Sequence, residues 1–337
     1  MSDTKLFIDP EGKFHFSIPI LYEYKNINFK RSTGQPHAFA KYDQKDDYAF
    51  QISCKPINKQ ISEIISTNKL KLHKFNEERL EFNERYFDTE DTFTYIWMAA
   101  VEDHFILATF IIDKNDVEKN KEELSNVKNS LKTFKFIPYQ QRDAALAQRR
   151  YNHFIASTAT VIDLKNKALK NGGFIEYVVL TSNRIDSILR NSIILKDQLL
   201  TSSNKINIKL LYQSETDKYI SERDIFSMAL KKDIINRNIY DELERLYRER
   251  NKVVHRYIIT DIRTEDIVQI AEGLYEIETV LENIIYTLES EQFDRRIGIY
   301  ADRQPGLPLS KAQHELIKTW IRDKTGRIKI KDEKDSK

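Results

Sequence analysis

The first third of the chain alternates apolar and polar residues in the manner of β-strands. Phe14, Phe16 and Ile18 share one face of a short segment, and His15 and Ser17 occupy the other. A period of two is what a strand with one buried face requires. Residues 48–54 carry a second apolar run of strand length. The pattern therefore predicts a sheet near the N-terminus.

Two longer apolar runs, residues 92–101 and 104–112, flank Glu102-Asp103 and predict a β-hairpin. Residues 58–75 and 115–131 have helical periodicity and predict two helices between or after the strands. Strands and helices in this order favour an antiparallel sheet with flanking helices. We therefore expect an α+β domain over residues 1–138.

The chain has no proline between Tyr139 and Gln304. Because proline disfavours a helix interior by about 3 kcal/mol, this stretch predicts an all-helical bundle over residues 139–297. Asn171-Gly172-Gly173 is predicted to end its first long helix, and Thr264 is predicted to cap its last. Residues 298–337 are predicted to form a linker, a short helix capped by Ser310 and a basic tail with a disordered end.

The composition of the chain excludes several classes of protein function. The chain has 54 Lys plus Arg against 52 Asp plus Glu, a net charge of +2, which excludes a strongly basic coat for nucleic acid but not a local basic patch. A single cysteine, Cys54, excludes a disulfide framework, and the scattered histidines predict no metal site. We expect no cofactor. Without an apolar run of about 20 residues or a secretory signal, we expect a cytoplasmic protein with no membrane partner.

The candidate chemistry lies at the end of a helix predicted over about residues 239–257, the fourth of the bundle. Arg250, His255 and Tyr257 form the pattern R-x4-H-x-Y, with Asn251 directly after the arginine. The apolar stripe of this helix consists of Ile239, Leu243, Leu246, Val253 and Tyr257, and Arg250 falls where this stripe predicts an apolar residue. Arg250 therefore faces a core or an interface, and a buried arginine requires a paired acid or a bound anion. Arg248, at a spacing of x6 from His255, is an alternative to Arg250, which we prefer because Asn251 follows it.

This motif resembles that of HEPN domains, which are bundles of four to five helices with the motif late in the bundle and a long amphipathic helix after it. The resemblance covers about residues 140–292. It implies a metal-independent endoribonuclease, a toxin or phage-defence effector, in which Arg250, Asn251 and His255 are catalytic. It also implies a homodimer with RNA as its substrate. A histidine suits proton transfer near neutral pH, and a guanidinium suits the negative phosphorane. The remaining basic residues of the segment are candidates for RNA binding: Arg248, Lys252 and Arg256.

Helix geometry gives a separate reason to expect a dimer. Five residues of an ideal helix turn by about 500°, which leaves Arg250 and His255 about 140° apart. Either the helix frays before His255, or a two-fold partner completes the site.

Tyr257 has two interpretations. The x-Y extension resembles HEPN toxins paired with minimal nucleotidyltransferase antitoxins, in which the matching tyrosine accepts AMP. This resemblance implies that Tyr257 is a modification site and that the partner is a nucleotidyltransferase antitoxin or another regulator. The alternative is a core or interface tyrosine with a hydrogen-bonded hydroxyl.

The competing hypothesis is a non-catalytic HEPN scaffold that mediates dimerisation or binds a partner or nucleotide, with Arg250 and His255 as a structural pair at a helix end. Polar residues of the second helix are expected to form a solvated face, although a HEPN cleft can include one of them: Glu176, Arg184, Asp186 and Arg190. In the N-terminal domain, residues 12–19 and 130–136 resemble the PsbP-like or DcrB-like fold, which implies no catalytic residues.

Overall fold

The computed structural model describes residues 4–28, 35–41, 49–74, 80–114, 117–213, 217–306 and 309–325. The chain divides into two compact units. Residues 1–149 and 310–337 form the first, called here the sheet unit, and residues 150–309 form the second, called the helical unit. The observed division differs from the predicted boundaries after residues 138 and 297. The helical unit is inserted into the sheet unit, because the chain returns to the sheet unit at Ser310.

The sheet unit is α+β, as predicted. Its described strands are β1 (Thr4–Ile8), β2 (Phe14–Pro19), β3 (Tyr22–Tyr24), β4 (His37–Lys41), β5 (Phe50–Pro56), β6 (Leu72–His73), β7 (Asn83–Asp88), β8 (Thr92–Val101), β9 (His104–Asp113) and β10 (Lys135–Phe136). The smaller sheet has the order β1-β2-β10. The larger has the order β3-β4-β5-β9-β8-β6, and β7 also pairs with β8. The described pairings are antiparallel except for β6 with β8.

The predicted hairpin is confirmed. Strands β8 and β9 pair from Thr92 opposite Asp113 to Val101 opposite His104. Glu102 lies in the tight turn with φ +47°. The predicted alternation in β2 is also confirmed, because Phe14, Phe16 and Ile18 are buried in an aromatic-rich core.

One predicted helix is too long. Helix α1 (Lys59–Thr67) begins where the Asn58 side chain accepts a hydrogen bond from Ile61 N. It ends before Lys69, which has a left-handed φ of +50°, and the chain continues into strand β6. The prediction of a helix to residue 75 is therefore wrong beyond Thr67. Helix α2 (Val117–Lys132) lies where the second helix was predicted.

The helices that follow are α3 (Arg142–Lys170), α4 (Phe174–Thr201), α5 (Ile208–Leu211), α6 (Glu222–Lys231), α7 (Arg237–Arg256) and α8 (Thr264–Arg295). Gly172 has φ +69° and lies between α3 and α4, as the predicted helix end requires. Helix α8 begins at Thr264, so Thr264 is not its cap. The cap is Arg263, whose backbone N donates to the Asp266 carboxylate at 2.8 Å.

Helix α4 lies at the centre of the helical unit, where it packs against α6, α7 and α8. Helix α7 also packs against α8, and Gly273 of α8 lies close to Leu246 of α7. None of the described helices is both long enough and apolar enough to cross a bilayer.

The predicted short helix near the C-terminus is α9 (Lys311–Thr325), and the Ser310 hydroxyl caps it by accepting from Gln313 N at 3.2 Å. Thr319 of α9 is buried and donates to the Ile20 carbonyl within the sheet unit. The predicted disorder at the end of the basic tail concerns residues outside the described ranges.

Candidate functional site

Helix α7 carries the whole R-x4-H segment in regular helical geometry. The helix starts at an Asn236 cap, whose side chain accepts from Ile239 N at 3.0 Å, and it continues to Arg256. His255 therefore lies inside the helix, and the helix does not fray before it. The rotation of about 140° between Arg250 and His255 follows from this regularity.

Arg250 is mostly buried, with a side chain 15% exposed. Its Nη2 donates to Glu222 Oε2 at the start of α6, and its guanidinium carbon lies 4.9 Å from the centre of the Tyr247 ring. Its Nε is buried and has no hydrogen-bond partner among the described residues. Arg250 is thus paired with an acid, as its position on the apolar stripe required, and its buried Nε remains without a described partner.

A second ion pair lies next to Arg250. Arg190 of α4 donates from Nε to Asp186 at 2.6 Å, and its two terminal nitrogens donate to the carbonyls of Leu210 and Ile220 at 3.2 and 3.1 Å. Arg190 is buried, and Asp186 Oδ1 is buried without a described partner. The expectation that these two residues form a solvated face is therefore wrong. We call Asp186, Arg190, Glu222 and Arg250 the charge cluster.

The two acids of the charge cluster titrate above their ordinary range. Burial raises the pKa of Asp186, although the positive charge of Arg190 opposes this effect. Burial also raises the pKa of Glu222 against the opposing charge of Arg250, and the nearby Asp186 adds to the rise. Because two carboxylates share this site with two guanidinium groups, the formal charge of the cluster is zero when all four are ionised.

No pattern in the sequence marks Glu222 as the partner of Arg250. Glu222 is the first residue of α6, and its position is set by a capping box. In that box Ser221 Oγ accepts from Asp224 N at 3.2 Å, and the Asp224 carboxylate accepts from Ser221 N at 2.9 Å. The pattern Ser-x-x-Asp marks where the helix starts. It gives no sign that the start of α6 lies against α7.

The structure does not bring the other predicted residues to Arg250 within one chain. His255 is exposed, and no contact between it and Arg250 is described. Asn251 is half-buried. Arg248 and Arg256 are exposed, and Lys252 pairs with Glu249 at 3.0 Å.

An apolar surface lies directly beside His255. Ile258 and Ile259, in the 3-10 turn after α7, are 94% and 79% exposed. Val254 and Tyr257 extend the same surface and are 36% and 42% exposed. We call these four residues the apolar patch. Tyr257 is therefore not a core residue of the isolated chain.

One groove among the described residues lies away from the motif. An open groove of about 610 Å³ lies between the start of α7 and α8, and none of the motif residues lines it. Its lining includes Ile235, Ile239, Val280 and Ile284. Among the described residues no group of three or more His, Cys, Asp or Glu side chains is arranged to hold a metal ion.

Comparison with known proteins shows no family for this chain. No family model and no curated protein matches it. A crystal structure of a Bacteroides thetaiotaomicron protein is similar at 13% identity and a TM-score of 0.28, over 53% of this chain and 77% of that one. The solution structure of the PsbP protein CyanoP from Synechocystis sp. PCC 6803 is similar at 10% identity and a TM-score of 0.24, over 41% of this chain and 94% of that one. Both scores are low, and the description of the fold rests on the elements of the chain itself.

Proposed function

We propose that the helical unit is a metal-independent endoribonuclease of the HEPN type, acting as a toxin or phage-defence effector. The observation that supports this function best is that α7 holds one motif side chain in a buried position and another in an exposed position. Arg250 is mostly buried with an unused donor, and His255 is exposed. A guanidinium held by an acid is oriented before a phosphate arrives, and an exposed imidazole is free to exchange protons.

The proposed reaction uses only side chains of the motif residues. A base, assigned to His255, takes the proton of the ribose 2′-OH, and the 2′-oxygen attacks the adjacent phosphorus. The bond from phosphorus to the 5′-oxygen breaks, and that oxygen leaves with a proton from an acid, which is also assigned to a histidine of the site. Arg250 stabilises the negative phosphorane, and Asn251 orients the phosphate. The products are a 2′,3′-cyclic phosphate and a 5′-hydroxyl.

The proposed active form is a homodimer. One chain holds Arg250 and His255 on different sides of a regular helix, so a single motif does not surround a phosphate. A two-fold partner supplies the missing groups from its own motif, and both motifs then line one cleft. The exposed Tyr257 lies at the same place, which supports the further proposal that a nucleotidyltransferase partner or another regulator acts there.

The test is incubation of the purified full chain with total RNA in EDTA. We expect fragments ending in cyclic phosphate, and we expect their formation to fall at least about 100-fold in Arg250→Lys and in His255→Ala. His314→Ala is a matched control, because His314 is an exposed histidine in the sheet unit. Equal rates of cleavage by the wild type and by all three variants would exclude the proposed site.

The second candidate function is a HEPN scaffold without catalysis. The contact that favours it is the Arg250–Glu222 ion pair, since an arginine already paired with an acid also serves to join α6 and α7. A scaffold leaves total RNA intact under the same conditions. Its Arg250→Lys variant loses stability without any change in RNA.

A further inference from the structure

We propose that Tyr212 and Tyr219 form a stacking site for unpaired bases of the RNA whose phosphate lies at Arg250. We call these two tyrosines the tyrosine platform. This inference deepens the proposed function, on which it rests, because it assigns residues that bind bases and requires those bases to be unpaired. Neither tyrosine belongs to the motif on α7.

Both side chains of the tyrosine platform are open to solvent. Tyr219 is 69% exposed and Tyr212 is 46% exposed. Tyr212 already stacks with a planar cation, because the guanidinium carbon of Arg150 lies 3.6 Å from the centre of its ring. A group placed over an aromatic ring covers one of its two faces. The other face of Tyr212 and the ring of Tyr219 are therefore available to a base.

Arg190 of the charge cluster fixes both ends of the segment that carries the tyrosine platform. Its two terminal nitrogens donate to the carbonyls of Leu210 and Ile220, at 3.2 and 3.1 Å. Leu210 lies two residues before Tyr212, and Ile220 directly follows Tyr219. Because one guanidinium binds both carbonyls, the two tyrosines are attached to neighbouring points of the helical unit. The charge cluster thus positions both rings.

The tyrosine platform is close enough to Arg250 to serve the same RNA strand. Tyr219 lies three residues before Glu222, and three residues of chain span at most about 11 Å. Glu222 in turn holds Arg250 in an ion pair. A strand whose phosphate lies at Arg250 therefore brings an adjacent base to Tyr219, where an aromatic ring provides a stacking surface.

Charge around the tyrosine platform is almost balanced. Residues 205–224 contain four basic and four acidic residues. Among the described residues, those that bind this segment, with their own ion-pair partners, add three basic and two acidic side chains: Arg150, Arg190, Arg250, Asp186 and Glu244. A nearly neutral surface has little general attraction for phosphates, whereas stacking on an aromatic ring needs no net charge. Stacking is therefore the expected source of binding here.

Binding to the tyrosine platform excludes a regular duplex. In double-stranded RNA each base is stacked on its neighbours, so an aromatic side chain reaches the face of a base only where the strand is unpaired. The platform therefore selects loops, bulges and single-stranded ends, and we expect cleavage next to them.

The experiment measures the Kd of the full chain for a short single-stranded RNA whose 2′-hydroxyls are methylated, by fluorescence anisotropy. Methylation prevents cleavage, so binding is observed alone. The Kd should rise at least about fivefold in Tyr219→Ala and in Tyr212→Ala. Tyr219→Phe and Tyr212→Phe should bind like the wild type, because phenylalanine retains the aromatic face. Tyr275→Ala, at a tyrosine of α8 that is 57% exposed, is the matched control and should also bind like the wild type.

Two further measurements separate stacking from attraction to phosphates. The slope of log Kd against log salt concentration should be the same in the wild type and the alanine variants, because no phosphate contact is lost. The same RNA annealed to its complement should bind at least about fivefold more weakly than the single strand. The proposal is overturned if the wild type does not bind the single strand or binds the duplex equally well. It is also overturned if the alanine variants keep wild-type affinity or the phenylalanine variants lose it.

The outcome is independent of the test for catalysis. Binding that depends on the two tyrosines, in a protein that leaves unmodified RNA intact, would refute the nuclease and retain the stacking site. Cleavage of unmodified RNA by a protein whose alanine variants bind like the wild type would refute the stacking site and retain the nuclease.

Discussion

Two places in the helical unit bury charge between helices, and they differ in how completely the charge is paired. Lys165 of α3 donates to both carboxylate oxygens of Glu278 of α8, at 2.7 and 2.6 Å, and Glu278 is only 2% exposed. In the charge cluster, Arg250 meets Glu222 through one nitrogen, and buried atoms of Arg250 and Asp186 remain without described partners.

The difference indicates two roles for buried ions. A carboxylate with both oxygens bonded to one lysine is typical of a structural contact, here between α3 and α8. Buried donors and acceptors without partners destabilise a protein, and they occur where a ligand or a reaction needs them. Buried atoms without partners do not by themselves separate the two places, because Arg184 Nε, 3.9 Å from Glu278 Oε1, is also buried without a described hydrogen-bond partner. We propose the charge cluster rather than the Lys165–Glu278 pair as part of the functional site because it contains Arg250 of the motif.

The largest expected effect tests the structural pair. Glu278→Ala leaves the Lys165 ammonium buried without a counter-ion and should lower the free energy of unfolding by about 3–5 kcal/mol. Urea unfolding followed by circular dichroism measures the change. Lys165→Met combined with Glu278→Leu removes both charges and should recover most of the loss. If the double variant is as unstable as Glu278→Ala, the ion pair is not the cause.

A smaller loss is expected in the charge cluster. Glu222→Ala removes the partner of Arg250, whose side chain retains some access to water, and should lower the free energy of unfolding by about 1–3 kcal/mol. Glu242→Ala, which breaks the exposed pair with Arg245, is the control and should change it by about 0.5 kcal/mol or less. Equal losses in the two variants would mean that the charge cluster is no different from a surface pair.

The cap that positions Glu222 gives a third test. Ser221→Ala removes the side-chain acceptor for Asp224 N and should destabilise α6 by about 1 kcal/mol. If Glu222 orients Arg250, the RNase activity of Ser221→Ala should fall together with the stability of α6. Activity that is unaffected by Ser221→Ala, measured where the variant is folded, would argue that the position of Glu222 is unimportant for the site.

The smallest expected effect is on the pH dependence of stability. The pKa of Glu222 is higher in the folded chain than its ordinary value of 4.5, so the folded state binds its proton more tightly than the unfolded state. Its favourable contribution is complete below pH 4.5 and is lost as the pH rises through the raised pKa. Glu222→Gln lacks this titration. As the pH rises from 4.5 through the raised pKa, the free energy of unfolding of this variant should therefore increase relative to that of the wild type, as measured by urea unfolding. A difference that does not vary with pH would contradict the raised pKa.

The pKa of Asp9, in the sheet unit, is shifted in the opposite direction to that of Glu222, so the pH dependence of its contribution to stability is also opposite. Its pKa is lowered, because hydrogen bonds from His37 at 2.8 Å and from the backbone of Lys13 and Glu11 outweigh its burial. Its contribution to stability is present above pH 3.8 and is lost as the pH falls through the lowered pKa.

The sequence alone determined the features that depend on neighbours along the chain. The alternation of Phe14, Phe16 and Ile18 predicted strand β2, the proline-free stretch predicted the helices, and the spacing in α7 placed Arg250 on an apolar stripe. Periodicity decides which side of an element is buried, because side chains two, three or four residues apart share a face.

What each buried face meets depends on the packing of segments that are distant along the chain. Glu222 lies 28 residues from Arg250 along the chain, and Asp186 and Arg190 come from a third helix. The return of α9 to the sheet unit and the exposure of Ile258 and Ile259 were likewise not visible in the sequence. These features depend on how helices pack, and helix packing is set by the fit of many side chains from distant segments, which no local pattern records.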